Sequence, residues 1–510
     1  LLHPRYQANQ TPGKIACIEA WSGKTLSYAE LDLAANQGAQ LFRQLGFTRG
    51  DVVAVMLDNE MALFPIAWAA ERAGLYLTSI STRLSLPDAA YIINDCGARM
   101  VIVSNVYAQT GHTIGALLPA ISVCTVAPTA LGLPDWTTAT AACPPVPISD
   151  ESPGTDMLYS SGTTGRPKGV KPALPAGELG EETALVAMGR ALYGMDADMV
   201  YLSTSPLYHA APLRWAMTVH RFGGTIVLMD KFDAERALAL IETWRITHST
   251  WVPTHFVRLL KLPAEVRARY DVSSLRAAIH AGAPCPVPIK QAMIEWWGPV
   301  IEEYYAGTET CGITALSSAQ WLARPGSVGR AVLGSVRILD DQGAVLPAGE
   351  TGNVYFADGP KFAYHNDAAK TAAAYNERGW ATLGDIGRLD DDGYLFLSDR
   401  KNFMIISGGV NIYPQEIENL LVTHPKVADA AVVGEPDDEM GEIVIAVVQP
   451  APGLVADATL GEELRQFARA ALGGVKTPRR FDFRDSLPRE PTGKLLKATL
   501  AAQYRAGRGR

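Results

Sequence analysis

The chain has 510 residues, 48% of them hydrophobic and 19% charged, and its 53 acidic against 45 basic side chains leave a net charge of −8. Such a length accommodates about two to four folding units, each able to bury a core, and the apolar content excludes a disordered chain. The acidic balance argues against a nucleic-acid binder, because neutralising phosphates needs a basic surface.

In chain order, apolar β-branched runs alternate with segments of helical period, the pattern of an α/β protein with buried strands. A helix is expected over about 28–45, followed by a strand in Asp51-VVAVML-Asp58. The longest nearly unbroken apolar stretch, residues 61–70, contains Pro65 and ends at Glu71 and Arg72, so no bilayer-spanning helix is expected. A second strand is read in Arg99-MVIVS-Asn105, and the Pro/Ala/Thr-rich residues 127–155 read as an exposed connection rather than packed structure. Further on come a strand in Thr225-IVLM-Asp230 and amphipathic helices over about 234–245 and 286–297. The six cysteines are irregularly spaced with no CxxC pair, which points to a reducing cytoplasm rather than to disulfides or zinc. No secretory leader is read at the N-terminus, although residue 1 is Leu and the natural start can lie upstream. The charge reverses late in the chain. Residues 401–475 hold four basic and eleven acidic groups, whereas 476–510 hold ten basic and three acidic, so the tail is expected either to be a solvated face or to meet a small polyanion.

The most informative stretch is Tyr159-SSGTTGRPKG-Val170, where three glycines, four Ser/Thr hydroxyls and two cations fall within twelve residues. Glycine lets the backbone approach an anion, successive N–H groups form a concave nest, and Ser160, Ser161, Thr163, Thr164 and Lys168 add donors around Gly162 and Gly165. This is the composition of a phosphate cradle, yet it does not match the Walker A pattern.

That segment resembles the signature loop of the acyl-adenylate-forming superfamily, which includes acyl- and aryl-CoA synthetases, carrier-protein adenylation domains and beetle luciferases. Leu26-SYAE-Leu31, Pro206-LYHAAP-Leu213, Glu303-YYAGT-Glu309, Gly384-DIGRLDDDG-Tyr394, Ser398-DRKNFMIISGGVNIY-Pro414 and Pro491-TG-Lys494 are similar to the family's blocks, in the family's order and from end to end. The resemblance implies a large N-terminal α/β domain over 1–400 and a small mobile α+β domain over 401–510, with a hinge at 400–402. Asn402 stands where most members carry Asp or Lys. The implied reaction joins a carboxylic acid to the α-phosphate of ATP and then to coenzyme A, with Mg2+, so electrostatic neutralisation is its main task.

By resemblance, Lys494 bridges the acyl carboxylate and α-phosphate, Glu309 after Thr308 holds Mg2+, and Asp385 with Arg400 binds the ribose. Gly282, Ala283, Pro284 and Tyr305, with Ala306 and Gly307, hold adenine. Thr163 belongs to the catalytic loop, and His209 gates the acyl group. Gly408 and Gly409 leave room for the pantetheine arm, although paired glycines also mark ordinary hairpins. Ala211, Trp215, Tyr304, Ala306 and Ile313 are expected to line an uncharged acyl pocket. Lys476, Arg479 and Arg480 are expected to add positive potential for phosphates. Departures are Leu383, in place of a threonine beside the ribose site, and a loop over 171–182 that reads as a lid or a surface excursion. The expected substrate is a medium- or long-chain fatty acid or a ring-bearing acid, with at most a second copy of the chain as protein partner. Loading a carrier protein, or nucleotide binding without catalysis, are the competing functions. Ala210, where amino-acid-activating relatives carry aspartate, argues against an amino acid.

Overall fold

In the computed structural model, residues 2–160, 167–489 and 495–507 are described. The fold is mixed α/β, with a large N-terminal domain and a small C-terminal one. No helix among the described residues is long and apolar enough to cross a membrane.

Two sheets and the helices between them build most of the large domain. The first is a five-stranded parallel sheet in the order Ser122–Thr125, Ala98–Val103, Val52–Met56, Tyr76–Ser79, Thr155–Asp156. Every residue of Val52–Met56 is buried, which is why an unbroken apolar run serves as the central strand. The second sheet has nine strands, parallel in its middle and antiparallel towards both edges. Its strand Ile301–Ala306 lies between Ala277–His280 and Ile313–Leu316.

The helix Tyr28–Gln44 fits the expected span and opens with a capping box: the Ser27 hydroxyl accepts from the Glu30 amide at 3.3 Å, and the Glu30 carboxylate accepts from the Ser27 amide at 2.8 Å. It packs against Leu63–Arg72, and one apolar core joins these helices to residues of both sheets, such as Val53, Val55, Tyr201 and Ile226. The strands and helices expected at 51–58, 99–105, 225–230, 234–245 and 286–297 are present, with ends shifted by one or two residues.

The reading of 127–155 as an unpacked connection is wrong in part. Asp135 caps a short helix, Trp136–Ala141, and Trp136, Cys143 and Ile148 all enter the main core. Trp136 lies 5.2 Å from Phe42, over Gly38 of the long helix. Small polar residues surround the indole in the sequence and hide it.

After a four-stranded antiparallel sheet that includes Asp385–Leu389 and Leu395–Arg400, the chain forms the C-terminal sheet from Ile405 onwards, with helices Pro414–Leu421, Ala458–Leu472 and Lys497–Arg505. Among the described residues, several cations of the tail are paired with carboxylates of this domain. Lys476 pairs with Glu416 at 2.6 Å, Arg480 with Glu435 at 2.7 Å, Arg489 with Asp429, and Lys497 with Glu418 at 2.9 Å. The expectation that Lys476 and Arg480 add free positive potential is therefore corrected; of the three cations named, Arg479 is the exposed one.

Candidate active site

A cavity of about 1430 Å3 opens between the large and small domains. Its walls include Gly282, Ala283, Pro284, Tyr304, Tyr305, Ala306, Asp385 and Arg400, eight of the residues singled out from sequence. Three separate elements bring them together. Gly282 to Pro284 follow the strand Ala277–His280, where Gly282 adopts φ +86°, a conformation that favours glycine. Tyr304 to Ala306 end the neighbouring strand. Asp385 and Arg400 lie opposite each other on paired antiparallel strands, and the Arg400 Nε sits 3.3 Å from an Asp385 oxygen.

Tyr305 links two of these groups, because its hydroxyl donates to the other oxygen of Asp385 while its ring stacks on Phe356, with centroids 6.0 Å apart. Burial raises the Asp385 carboxyl above the usual range, against the pull of Arg400. Burial also pushes the Tyr305 phenol well up, with Asp385 adding to the effect, so the phenol remains a donor. The result is a rigid acceptor beside one cation, suited to the paired hydroxyls of a sugar.

A second group lies around the turn after Ala306. Glu309 accepts from the Tyr364 hydroxyl at 2.8 Å, and Lys168 sits over the Tyr364 ring at 5.1 Å. Lys168 pairs in register with Ser160 on an antiparallel two-stranded ladder. Desolvation by burial, followed by the charge of Lys370, lowers the Lys168 pKa. Gly307 is closely surrounded: a Cβ there would lie 2.6 Å from a Glu309 oxygen and 2.7 Å from the end of the Leu383 side chain, so both would have to shift. Leu383, the departure noted near the ribose site, thus packs under the Glu309 turn.

Sequence reasoning missed Tyr364, which no motif marks, and also Arg214. The Arg214 guanidinium grips Asp156 through two bonds of 2.7 and 2.8 Å. Neither residue is on the wall of the cavity.

Other expected residues fall elsewhere. Trp215 is not on the wall of this cavity; it is 1% exposed in the main core, where its indole donates to the Tyr304 hydroxyl at 3.2 Å from behind. Ile313 is buried and Ala211 exposed, both away from the cavity wall. His209 occupies the N-cap position of helix Ala210–Phe222, with its ring 4.7 Å from that of Tyr208. Gly408 and Gly409 form a two-residue hairpin turn with φ of +57° and +78°, exposed and off the cavity wall. The loop over 171–182 is bonded to the large domain in its first half: Tyr76 donates to the Pro172 carbonyl at 2.8 Å and Arg49 to that of Pro175 at 2.6 Å. Ser161, Gly162, Thr163, Thr164, Gly165 and Lys494 lie outside the described residues. Leu495 and Lys497, just beyond Lys494, line the cavity.

With this geometry in place, comparisons define the class. Residues 4–363 match the AMP-binding enzyme family and 416–494 its C-terminal domain, so the chain belongs to the AMP-binding enzyme family. It is 34% identical to an indoleacetate–CoA ligase of Aromatoleum aromaticum over 96% of this chain and 95% of that protein. It is 31% identical to a long-chain-fatty-acid–CoA ligase of Mycobacterium tuberculosis, covering 98% of both. The o-succinylbenzoate CoA synthetase of Bacillus subtilis, solved with its acyl-adenylate intermediate, superposes with a TM-score of 0.82 at 26% identity, over 98% of this chain and 97% of that one.

Proposed function

We propose that this protein is an AMP-forming carboxylic acid–CoA ligase that works through an acyl-adenylate. The observation that carries the reading is the convergence on one cavity of the Asp385–Tyr305–Arg400 cluster, the Gly282–Pro284 turn and the segment just beyond Lys494. On this reading Asp385 and Arg400 take the ribose hydroxyls, Gly282 to Pro284 and Tyr305 to Gly307 take adenine, and the loop from Ser160 to Lys168 takes the phosphates. Lys494 then approaches the α-phosphate from the small domain, and His209 stands beside the acyl group. The two domains would divide at 400–402. Gly408 and Gly409 would reach the site only after the small domain turns, to admit coenzyme A.

The residues present fit Mg2+. Among the described residues no group of three or more His, Cys, Asp and Glu could cage a metal, whereas a single carboxylate with hydroxyl and carbonyl neighbours suits an ion held mainly by nucleotide phosphates. Glu309 and Thr308 would hold it, and the ion would neutralise phosphate charge when bound. The acid is proposed to carry an apolar or ring-bearing tail, as the named acids of the two relatives do, with Tyr304 closing its pocket. The six free cysteines, five of them buried, accord with a reducing cytoplasm.

Lys494→Ala tests the reading. It is expected to cut acid-dependent pyrophosphate exchange by ~10^2 to 10^3, the usual loss of a preorganised charge at developing negative charge, while thioester formation from supplied acyl-AMP persists. Equal loss of both half-reactions would overturn it.

A further inference from the structure

Arg214 is joined to the Glu309 turn from outside it. On one side its guanidinium grips both oxygens of Asp156, on a strand of the five-stranded sheet. On the other, Nη1 donates to the Thr308 carbonyl at 3.4 Å and to the Thr310 hydroxyl at 3.3 Å. Thr310 has φ +55°, an unusual conformation for a β-branched residue, which persists only where the surroundings hold it. Here they do so, because the Thr310 hydroxyl also donates to the Thr308 carbonyl at 3.2 Å and its amide to the Gly307 carbonyl at 3.1 Å. Tyr364 fixes the carboxylate itself at 2.8 Å. The turn bearing Glu309 is therefore clamped on its backbone by an arginine from helix Ala210–Phe222 and on its side chain by a tyrosine from 55 residues later in the chain.

We infer that Arg214, held by Asp156, is a positioning residue for the divalent cation: it sets the backbone of Thr308 to Thr310 so that Glu309 meets the ion at the nucleotide phosphates. The inference rests on the proposed role of Glu309. A lysine could not replace the arginine, because one ammonium cannot hold two carboxylate oxygens and reach across to Thr308 and Thr310 with fixed geometry.

The test reads ion binding without turnover. ATP affinity is measured by calorimetry with no acid present, once with saturating Mg2+ and once with EDTA, and the ratio reports the coupling between ion and nucleotide. Arg214→Gln is expected to lower that ratio by ~10- to 100-fold, as loss of a group that orients a metal ligand usually does, with the affinity in EDTA unchanged. Arg214→Lys should recover little of it, and Asp156→Asn should repeat the loss in milder form. Glu309→Gln separates the two claims. If Glu309→Gln lowers the ratio and Arg214→Gln does not, the positioning role is overturned; if Glu309→Gln leaves the ratio intact, the cation assignment itself fails. An equal fall in EDTA would make Arg214 a general support of the site and overturn the specific role. Should Arg214→Gln fail to fold, Asp156→Asn decides by the same ratio, and a wild-type value overturns the inference.

Discussion

His220 shows how one buried side chain makes the fold sensitive to acid. Its Nδ1 accepts from the Trp68 indole at 3.2 Å, its Nε2 lies 3.1 Å from the Ala16 carbonyl, and the ring is fully buried. That arrangement needs the neutral imidazole, since a proton on Nδ1 would face another donor. Burial lowers the pKa from 6.5 to about 4, with the Ala16 bond opposing the shift. In the unfolded chain the same group protonates near pH 6.5, so between these values the unfolded state holds more protons and stability rises with pH. The contribution is present above pH 6.5 and is lost as the pH falls to about 4, a change of about 3 kcal/mol at 1.36 kcal/mol per unit. His220→Phe should be less stable at neutral pH but show a flatter decline from pH 6.5 to 4 in urea unfolding; parallel slopes would remove His220 from the acid response. At this scale the sequence is readable where motifs stand. Asp385, Tyr305 and Arg400 share a cavity as expected, whereas Tyr364 and Arg214 act through contacts 55 and 94 residues away in the chain, which no local pattern encodes.

Among the elements, the long first helix depends on a missing side chain. Gly38 sits mid-helix, where glycine is normally a cost of roughly 0.5–1 kcal/mol relative to alanine. Here the sign reverses, because a Cβ would lie 2.7 Å from both the Ala69 Cβ and the Trp136 ring. Gly38→Ala is expected to destabilise by about 1–3 kcal/mol through overpacking, read as a lower denaturation midpoint with unchanged m-value. The strand and helix periods were legible because apolar faces dictate them. The role of Trp136 was not, because its neighbours are small and its partner helix begins over a hundred residues earlier. Trp215 gives a second prediction. Its ring stands behind Tyr304, T-shaped at 6.0 Å, and is sealed from the cavity. Trp215→Ala should cost about 3–5 kcal/mol and leave the preference among acids unmoved, while Tyr304→Ala, on the wall itself, should shift kcat/KM towards longer or bulkier acids. A chain-length series from C4 to C16 with both variants would show the opposite pattern if the indole, rather than the phenol, met the substrate.

At the scale of the molecule, four cations of the basic tail are paired within the small domain. Segment totals read from the sequence could reveal the reversal after residue 475 but not that Glu416, Glu418, Asp429 and Glu435 each meet one of its cations. Among the described residues, Lys261 reaches from the large domain to the small one. Lys261, just after helix Pro253–Leu260 of the large domain, donates to the Val427 carbonyl and, at 3.5 Å, to that of Ala428 at the start of a C-terminal strand. Desolvation by burial lowers its pKa, with the nearby Asp429 opposing the shift, so the ammonium sits partly out of water with carbonyls as its compensation. Those bonds exist in the arrangement that places Leu495 at the cavity and leaves the Gly408–Gly409 turn off its wall. A rotated small domain would break them. Lys261→Met keeps the apolar stem and removes the donors, which should weaken this arrangement by the ~1.5–3 kcal/mol typical of hydrogen bonds to a charged group. Acid-dependent pyrophosphate exchange is then expected to fall relative to thioester formation from supplied acyl-AMP, with ATP affinity retained. A mutation at Gly409 would be a poorer probe, since any side chain at φ +78° strains the turn before it meets a ligand. If Lys261→Met lowers both half-reactions in proportion, the lysine only stabilises the interface and does not bias the domain's position.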